Sequence, residues 1–427
     1  MSLEIAPKRA EAMPEICITN TQQYNNTACT PAGKIKNSTV QPVRAGCRQT
    51  QNTPLCSDIY LVALIITLLM SALCVPEGLS AADLTPADYY TVEEYQNKHP
   101  AQRRTMLRFQ TRVRAAGLPL GRQMPKVRIA FIYPGIQASD YWRRSVASFQ
   151  GRMDEIGVDY EMLNFFTRPS MDIRLQEAQI REALASDPDY IVFTLDVGRH
   201  RRLVERLLSK KRPKVIMQNI TTPLRAWEGQ QPFLYVGFDH VKGTRMLAEH
   251  FKLQYPSGAS YALLYFSKGY ISTMRGDSFE RLLPPQWIKQ SSYYTDGSKN
   301  KAKHATLDIL STQKVDVLYT CATDVALGAI EALQQTNMIG KVVINGWGGG
   351  SPELEAIQKG KLDVTVMRMN DDNGVAMAEA IRLDLEGRND EIPRIYSGDF
   401  TLIRKGVSEA RLNELKSKAF RYSKNLQ

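Results

Sequence analysis

Beyond position 74, this chain of 427 residues has a single cysteine, Cys321, while Cys17, Cys29, Cys47, Cys56 and Cys74 crowd the start. Its five histidines (His99, His200, His240, His250, His304) are scattered. No HExxH, no paired CxxC and no other metal-ligand spacing occurs, so no metal site is expected. No motif joins a histidine to a nucleophile, which leaves no catalytic constellation and predicts a protein that is not an enzyme. A dinucleotide loop is missing as well. "NGWGGGS" (Asn345–Ser351) joins a strand to a helix, but it lacks the third glycine in register and puts a bulky Trp347 where backbone would approach pyrophosphate. It reads as a flexible turn presenting an indole. Concentrated basic charge is also absent. The net charge of +11 is spread along the chain, and the densest run, "GRHRRLVERLLSKKRPK" (Gly198–Lys214), carries Leu203, Val204, Leu207 and Leu208 at helical spacing. Its charges therefore occupy a solvated helix face, and no nucleic-acid partner is expected.

One long apolar run is present. "IYLVALIITLLMSALCV" (Ile59–Val75) has no charged residue, follows Lys34, Lys36, Arg44 and Arg48, and precedes "PEGLSAAD". This length suits a signal-peptide core with cleavage after the small residues Ser80-Ala81-Ala82. A single membrane anchor is the competing reading. In both cases the positive flank stays inside and the body faces out. Residues 1–58, polar and without periodicity, fit no signal design and read as an uncertain N-terminal extension; 59–82 is the signal or anchor, and 83–125 a leader with a packing helix.

With 43% apolar and 23% charged residues the body is ordinary globular material, long enough for two domains. From Lys126 on, apolar runs alternate with amphipathic ones. Strands are predicted at 128–133, 190–195, 214–219, 233–238, 261–266, 315–320, 341–346 and 363–368, all β-branched or aromatic with little polar alternation. Such runs belong to parallel strands covered on both faces. Helices are predicted over Met171–Ala185, Val241–Leu253, Asp324–Gln334 and Asn370–Leu385. The repetition argues for α/β architecture with doubly wound sheets, and at least eight strands argue for two of them.

The carboxyl ends of these strands, where open α/β sheets bind ligands, repeatedly carry polar or aromatic groups. Gln137, Ser139 and Trp142 follow the first strand; Asn219 ends "KVIMQN"; Arg275 lies beyond "YALLYF". Thr323 and Asp324 follow "VDVLYT", Trp347 follows "KVVING", and Arg368 closes "DVTVMR". Singly, each has a structural reading: Asp324 a helix N-cap, Trp347 core, the arginines surface ion pairs, Asn219 a turn. Together they read as one site. Two indoles would cover ring faces, while amides and hydroxyls would read several ligand hydroxyls. Two arginines against one aspartate call for an anionic, oxygen-rich ligand.

The stretches "YPGIQASDYW", "YIVFTLDVGRHR", "QNITTPLRAW", "GYISTMRGD", "CATDVALGA", "INGWGGGSPELEAIQKG" and "VMRMNDDNGVAMAEAI", with others between Tyr89 and Ser423, closely resemble the LuxP-type periplasmic autoinducer-2-binding proteins. The resemblance implies a type I periplasmic binding protein: two doubly wound parallel-sheet lobes joined by three hinge crossings. One lobe would comprise 126–239 plus 369–391 and the other 240–368 plus 392–427, with hinges near Asp239, Met369 and Pro393. It implies no cofactor. The implied ligand is the quorum-sensing signal autoinducer-2, a furanosyl borate diester, contacted by Gln137, Ser139, Trp142, Asn219, Arg275, Thr323, Asp324, Trp347 and Arg368. The two arginines would offset the borate charge, and Asp324 would read ring hydroxyls. The implied partner is the periplasmic domain of a hybrid sensor histidine kinase of the LuxQ type. A sugar-binding protein of an ABC uptake transporter would share the fold and most of these residues.

Overall fold

Apolar side chains on both faces of a pleat are stable only where both faces are covered, and the buried runs found in the sequence are laid out accordingly. The computed structural model describes residues 81–195 and 200–426. The apolar run at 59–75 and the extension before it lie outside the described residues. No helix among those described is long and apolar enough to cross a membrane.

The strands form two six-stranded sheets. The first holds β1 (Val127–Tyr133), β2 (Tyr160–Phe166), β3 (Tyr190–Phe193), β4 (Lys214–Gln218) and β5 (Leu234–Phe238). The second holds β6 (Ser260–Tyr265), β7 (Ile288–Tyr294), β8 (Val317–Thr320), β9 (Val343–Gly348) and β10 (Val364–Arg368). The chain then adds β11 (Ile395–Gly398) to the first sheet and β12 (Phe400–Arg404) to the second. The orders are β11-β5-β4-β3-β1-β2 and β12-β10-β9-β8-β6-β7. Every pairing is parallel except β12 with β10. Each sheet thus reverses its strand order at the equivalent place, between β1 and β3 and between β6 and β8, and such a reversal opens a crevice at the carboxyl ends of the strands.

Helices close both faces. Tyr141–Ile156 packs on Asp372–Leu385 so closely that a Cβ on Gly374 would meet Ser148 Oγ at 2.1 Å. Phe131, Phe149, Phe238 and Ile381 are fully buried there, each contributing about 1.5–3 kcal/mol by leaving water. Ala302, Val325, Leu333 and Leu354 play the same part in the second lobe.

The chain passes between lobes after β5, where Asp239 Oδ1 caps helix His240–Gln254 by accepting from Lys242 N at 3.1 Å, and again after β10, through Met369–Asp371. The third passage is at Asp399. The placement near Pro393 is corrected because β11 pairs in parallel with β5, Ile395 opposite Tyr235, so residues 395–398 belong to the first sheet. After helix Glu409–Ala419 the tail returns to the first lobe, where Arg144 Nη1 donates to the Ser423 carbonyl at 2.6 Å.

The leader also touches both lobes. Ser278 Oγ and Arg281 Nη1 of the second lobe donate to the carbonyls of Leu84 and Asp83, at 3.1 and 2.7 Å. A few residues on, Tyr90 N donates to Pro223 O at 2.8 Å and Tyr89 bridges Leu224, both in the first lobe. Helices Val92–Lys98 and Pro100–Arg114 follow, the second lying along β11 and pairing Arg114 with Asp399.

Candidate ligand-binding site

Segments leaving β1, β3 and β4 face segments from β6, β8, β9 and β10 around a cleft of roughly 600 Å³, space open to solvent included. Eight of the nine residues singled out in the sequence line it: Gln137, Ser139, Trp142, Asn219, Arg275, Thr323, Trp347 and Arg368. Trp142 is fixed by its neighbours, its ring centroid 4.6 Å from Tyr133 and 4.8 Å from Tyr141. Gln137 Nε2 donates to the Pro134 carbonyl. Asn219 directly follows β4 with φ 66, a left-handed backbone that asparagine tolerates better than most residues. Its buried Oδ1 has no protein partner.

Arg275 and Arg368 are 4% exposed, and neither forms an ion pair among the described residues. Arg275 lies 3.7 Å over the Trp347 ring, donates through Nη1 to the Cys321 carbonyl at 2.8 Å, and through Nε to His240 Nδ1 at 3.3 Å. Arg368 lies 4.1 Å over Tyr141, and its buried Nε has no protein partner. Burial, then the charge of Arg368, pushes Arg275 down to about 9. Burial also lowers Arg368. A guanidinium keeps its charge at neutral pH, so two cations lie in the cavity wall, and no described residue forms an ion pair with either.

Asp324 stands apart from its eight companions. It is not in the cavity wall, and it is not an N-cap either, since Ala322 holds that position for helix Thr323–Gln335. Its oxygens accept from the backbone N–H groups of Ala138 and Ser139 across the cleft, at 2.8 and 3.1 Å. Burial raises its pKa, opposed by those two donors.

The glycine-rich stretch is likewise unlike its sequence reading. Trp347 is fully buried within β9, and the loop wraps the carboxylate of Glu353, which accepts from Trp347 N at 3.0 Å and Gly349 N at 2.8 Å. A Cβ on Gly346 would meet Glu353 Oε2 at 2.5 Å. These glycines let backbone close around a buried acid. The Trp347 indole lines the cavity and carries the Arg275 guanidinium over its ring.

Three participants escaped the sequence reading. Tyr141 carries Arg368, and Tyr270 lines the cavity while bonding Thr222 Oγ1 at 2.6 Å. His240 is fully buried, its Nε2 3.0 Å from the Asn219 carbonyl and its Nδ1 facing Arg275. Burial, reinforced by Arg275, holds His240 well below its usual value, so it is neutral. The proton then sits on Nε2, donating to Asn219, and the Nδ1 lone pair accepts from Arg275. One imidazole thereby fixes two cavity residues from opposite lobes. His240 follows the carboxyl end of β5, the same kind of position that identified the others.

Among the described residues no cluster of His, Cys, Asp or Glu could hold a metal ion. The geometry instead offers cations, hydroxyls, amides and aromatic faces to one small enclosed ligand.

Solved structures share this architecture. A glucose-galactose binding protein from Geobacillus stearothermophilus is 17% identical, covering 67% of this chain and 99% of that one with a TM-score of 0.58. A solute binding protein of an ABC transporter from Bacillus halodurans C-125, with bound myo-inositol, is 16% identical over 70% of this chain and 100% of that one, TM-score 0.58. Another from Agrobacterium vitis, with alpha-D-tagatopyranose, is 16% identical over 68% and 98%, TM-score 0.60. At such identity the likeness establishes a common fold. The family model described as the periplasmic binding protein domain matches residues 129–389, well over half of the sequence. The chain belongs to the periplasmic binding protein family.

Proposed function

We propose that this protein is an extracytoplasmic receptor that closes its two lobes on a small, ring-shaped, oxygen-rich ligand bearing negative charge. The observation that carries the reading is the pair Arg275 and Arg368, enclosed at 4% exposure each with no carboxylate partner among the described residues. A buried cation without a counter-charge is costly, and an anionic ligand supplies what the protein withholds. Asn219 Oδ1, Ser139 and Thr323 stand ready for ligand hydroxyls, and Trp142 for a ring face.

A furanosyl borate diester, the signal autoinducer-2, has this chemistry: a tetrahedral anionic centre on a sugar-like ring. The finer proposal is that it is the ligand, and that closure is reported to the periplasmic domain of a hybrid sensor histidine kinase of the LuxQ type. A ligand touching both lobes favours the closed state by its differential affinity.

The second reading is a sugar-binding protein of an ABC uptake transporter, and the solved relatives favour it. Among them are ABC-transporter solute binding proteins with bound D-allose, myo-inositol and alpha-D-tagatopyranose. A neutral sugar would use the same hydroxyl-binding wall but leave the two guanidinium groups uncompensated. Denaturing the purified protein and analysing the released cargo separates the two. A boron-containing anion supports the first reading; a neutral pentose or hexose without boron establishes the second and refutes the charge argument.

A further inference from the structure

The segment Ala138–Asp140, between β1 and helix Tyr141–Ile156, is gripped from the second lobe at two points. Asp324 of the second lobe accepts from Ala138 N and Ser139 N at 2.8 and 3.1 Å. In return Asp140 of the first lobe, 2% exposed, accepts from Ser351 N at 3.0 Å. Each lobe thus offers one carboxylate to backbone N–H groups of the other. Arg144 holds the second contact in shape, donating through Nε to Asp140 Oδ2 at 2.6 Å and through Nη2 to Ser351 Oγ at 2.7 Å. Gly350 lets the lobes meet there: a Cβ on it would lie 2.1 Å from Asp140 Oδ1. Its backbone, at φ −73 and ψ 175, is one that any residue adopts, so only the approach of the other lobe requires glycine.

We propose that Asp140 and Asp324 form a reciprocal clasp that holds the lobes together through the protein itself. Asp324 is then a positioning residue that fixes Ser139 against the cavity, and it does not read ligand hydroxyls. The clasp acts whether the ligand is anionic or a neutral sugar, because neither carboxylate faces the cavity. The two halves lie on one continuous segment, so losing either loosens both.

Amide hydrogen exchange on the full-length protein, as purified, tests this. Gly350→Ala touches no cavity residue and is expected to speed exchange at least tenfold at residue 351 and also at 138 and 139, whose acceptor is Asp324. Asp324→Asn is expected to speed exchange at 138 and 139 and, in return, at 351. Gly121→Ala, where an added Cβ meets nothing within 4 Å, is the control and should leave all three unchanged. The clasp is overturned if Gly350→Ala leaves residues 138 and 139 at the wild-type rate. It is equally overturned if Asp324→Asn alters 138 and 139 without altering 351. Melting curves confirm that each variant is folded, and each substitution tests the coupling without the other.

Discussion

Replacing Arg275 by methionine should separate the stability of the protein from its affinity. A fall from 12.5 to about 9 means that the charged form is disfavoured by about 5 kcal/mol at neutral pH. Against that, the guanidinium makes a hydrogen bond to the Cys321 carbonyl, a longer one to His240, and a stacking contact with Trp347 at 3.7 Å. Charge-assisted bonds contribute about 1.5–3 kcal/mol each and a desolvated cation–π contact about 2 kcal/mol. The favourable side sums to about 5–8 kcal/mol, so cargo-free Arg275→Met should lose no more than about 3 kcal/mol against the wild type in urea titrations. Affinity should behave differently. Two charge-assisted bonds to an anion amount to about 3–6 kcal/mol, or roughly a hundred- to ten-thousandfold in Kd, measured by calorimetric titration of the recovered cargo. A variant destabilised by more than about 3 kcal/mol that still binds with wild-type affinity would refute the reasoning, because Arg275 would then be a structural cation.

Three further outcomes are expected. His240, neutral when folded, binds fewer protons than it does in the unfolded chain, so its share of stability is present above about pH 6.5 and lost as pH falls below it. The difference in unfolding free energy between wild type and His240→Gln should change by up to about 1.4 kcal/mol per pH unit below 6.5; parallel profiles would contradict the neutral assignment. Trp142→Ala should weaken ligand binding by roughly ten- to a hundredfold through lost ring coverage, leaving the far-ultraviolet circular dichroism spectrum intact; normal affinity would count against its place in the wall. Gly374→Ala should lower stability by about 1–3 kcal/mol in a thermal melt, because the added methyl collides with Ser148 and with the Ser145 carbonyl of the facing helix.

The strands visible in the sequence are the interior ones. β1, β3, β4, β5, β6, β8, β9 and β10 were each expected within a few residues, since unbroken apolar runs mark strands buried on both faces. The four that escaped notice, β2, β7, β11 and β12, all lie at sheet edges. "YEMLNFF" and "IKQSSYY" are half-exposed, and their polar positions blur the signal. The third lobe passage was misplaced because β11, buried but only four residues long, went unseen. In the site, strand-end polarity was enough to gather eight residues around one cavity, although their contact with a ligand is a separate matter. The sequence could not show that the Asp324 carboxylate would turn to the opposite lobe, or that Trp347 would stack on Arg275. Both depend on how two separately folded sheets meet, which no local pattern encodes.

The leader segment gives the molecule a mechanical property. Between Leu84, anchored on one lobe, and Tyr89, anchored on the other, run five residue steps, which reach about 17 Å when fully extended. While both ends stay fastened, those anchor points cannot separate beyond that length, so the segment is a leash on the swing of the lobes. A wider gape requires one fastening to peel away. A chain trimmed to begin after Tyr90 would be free of the leash altogether.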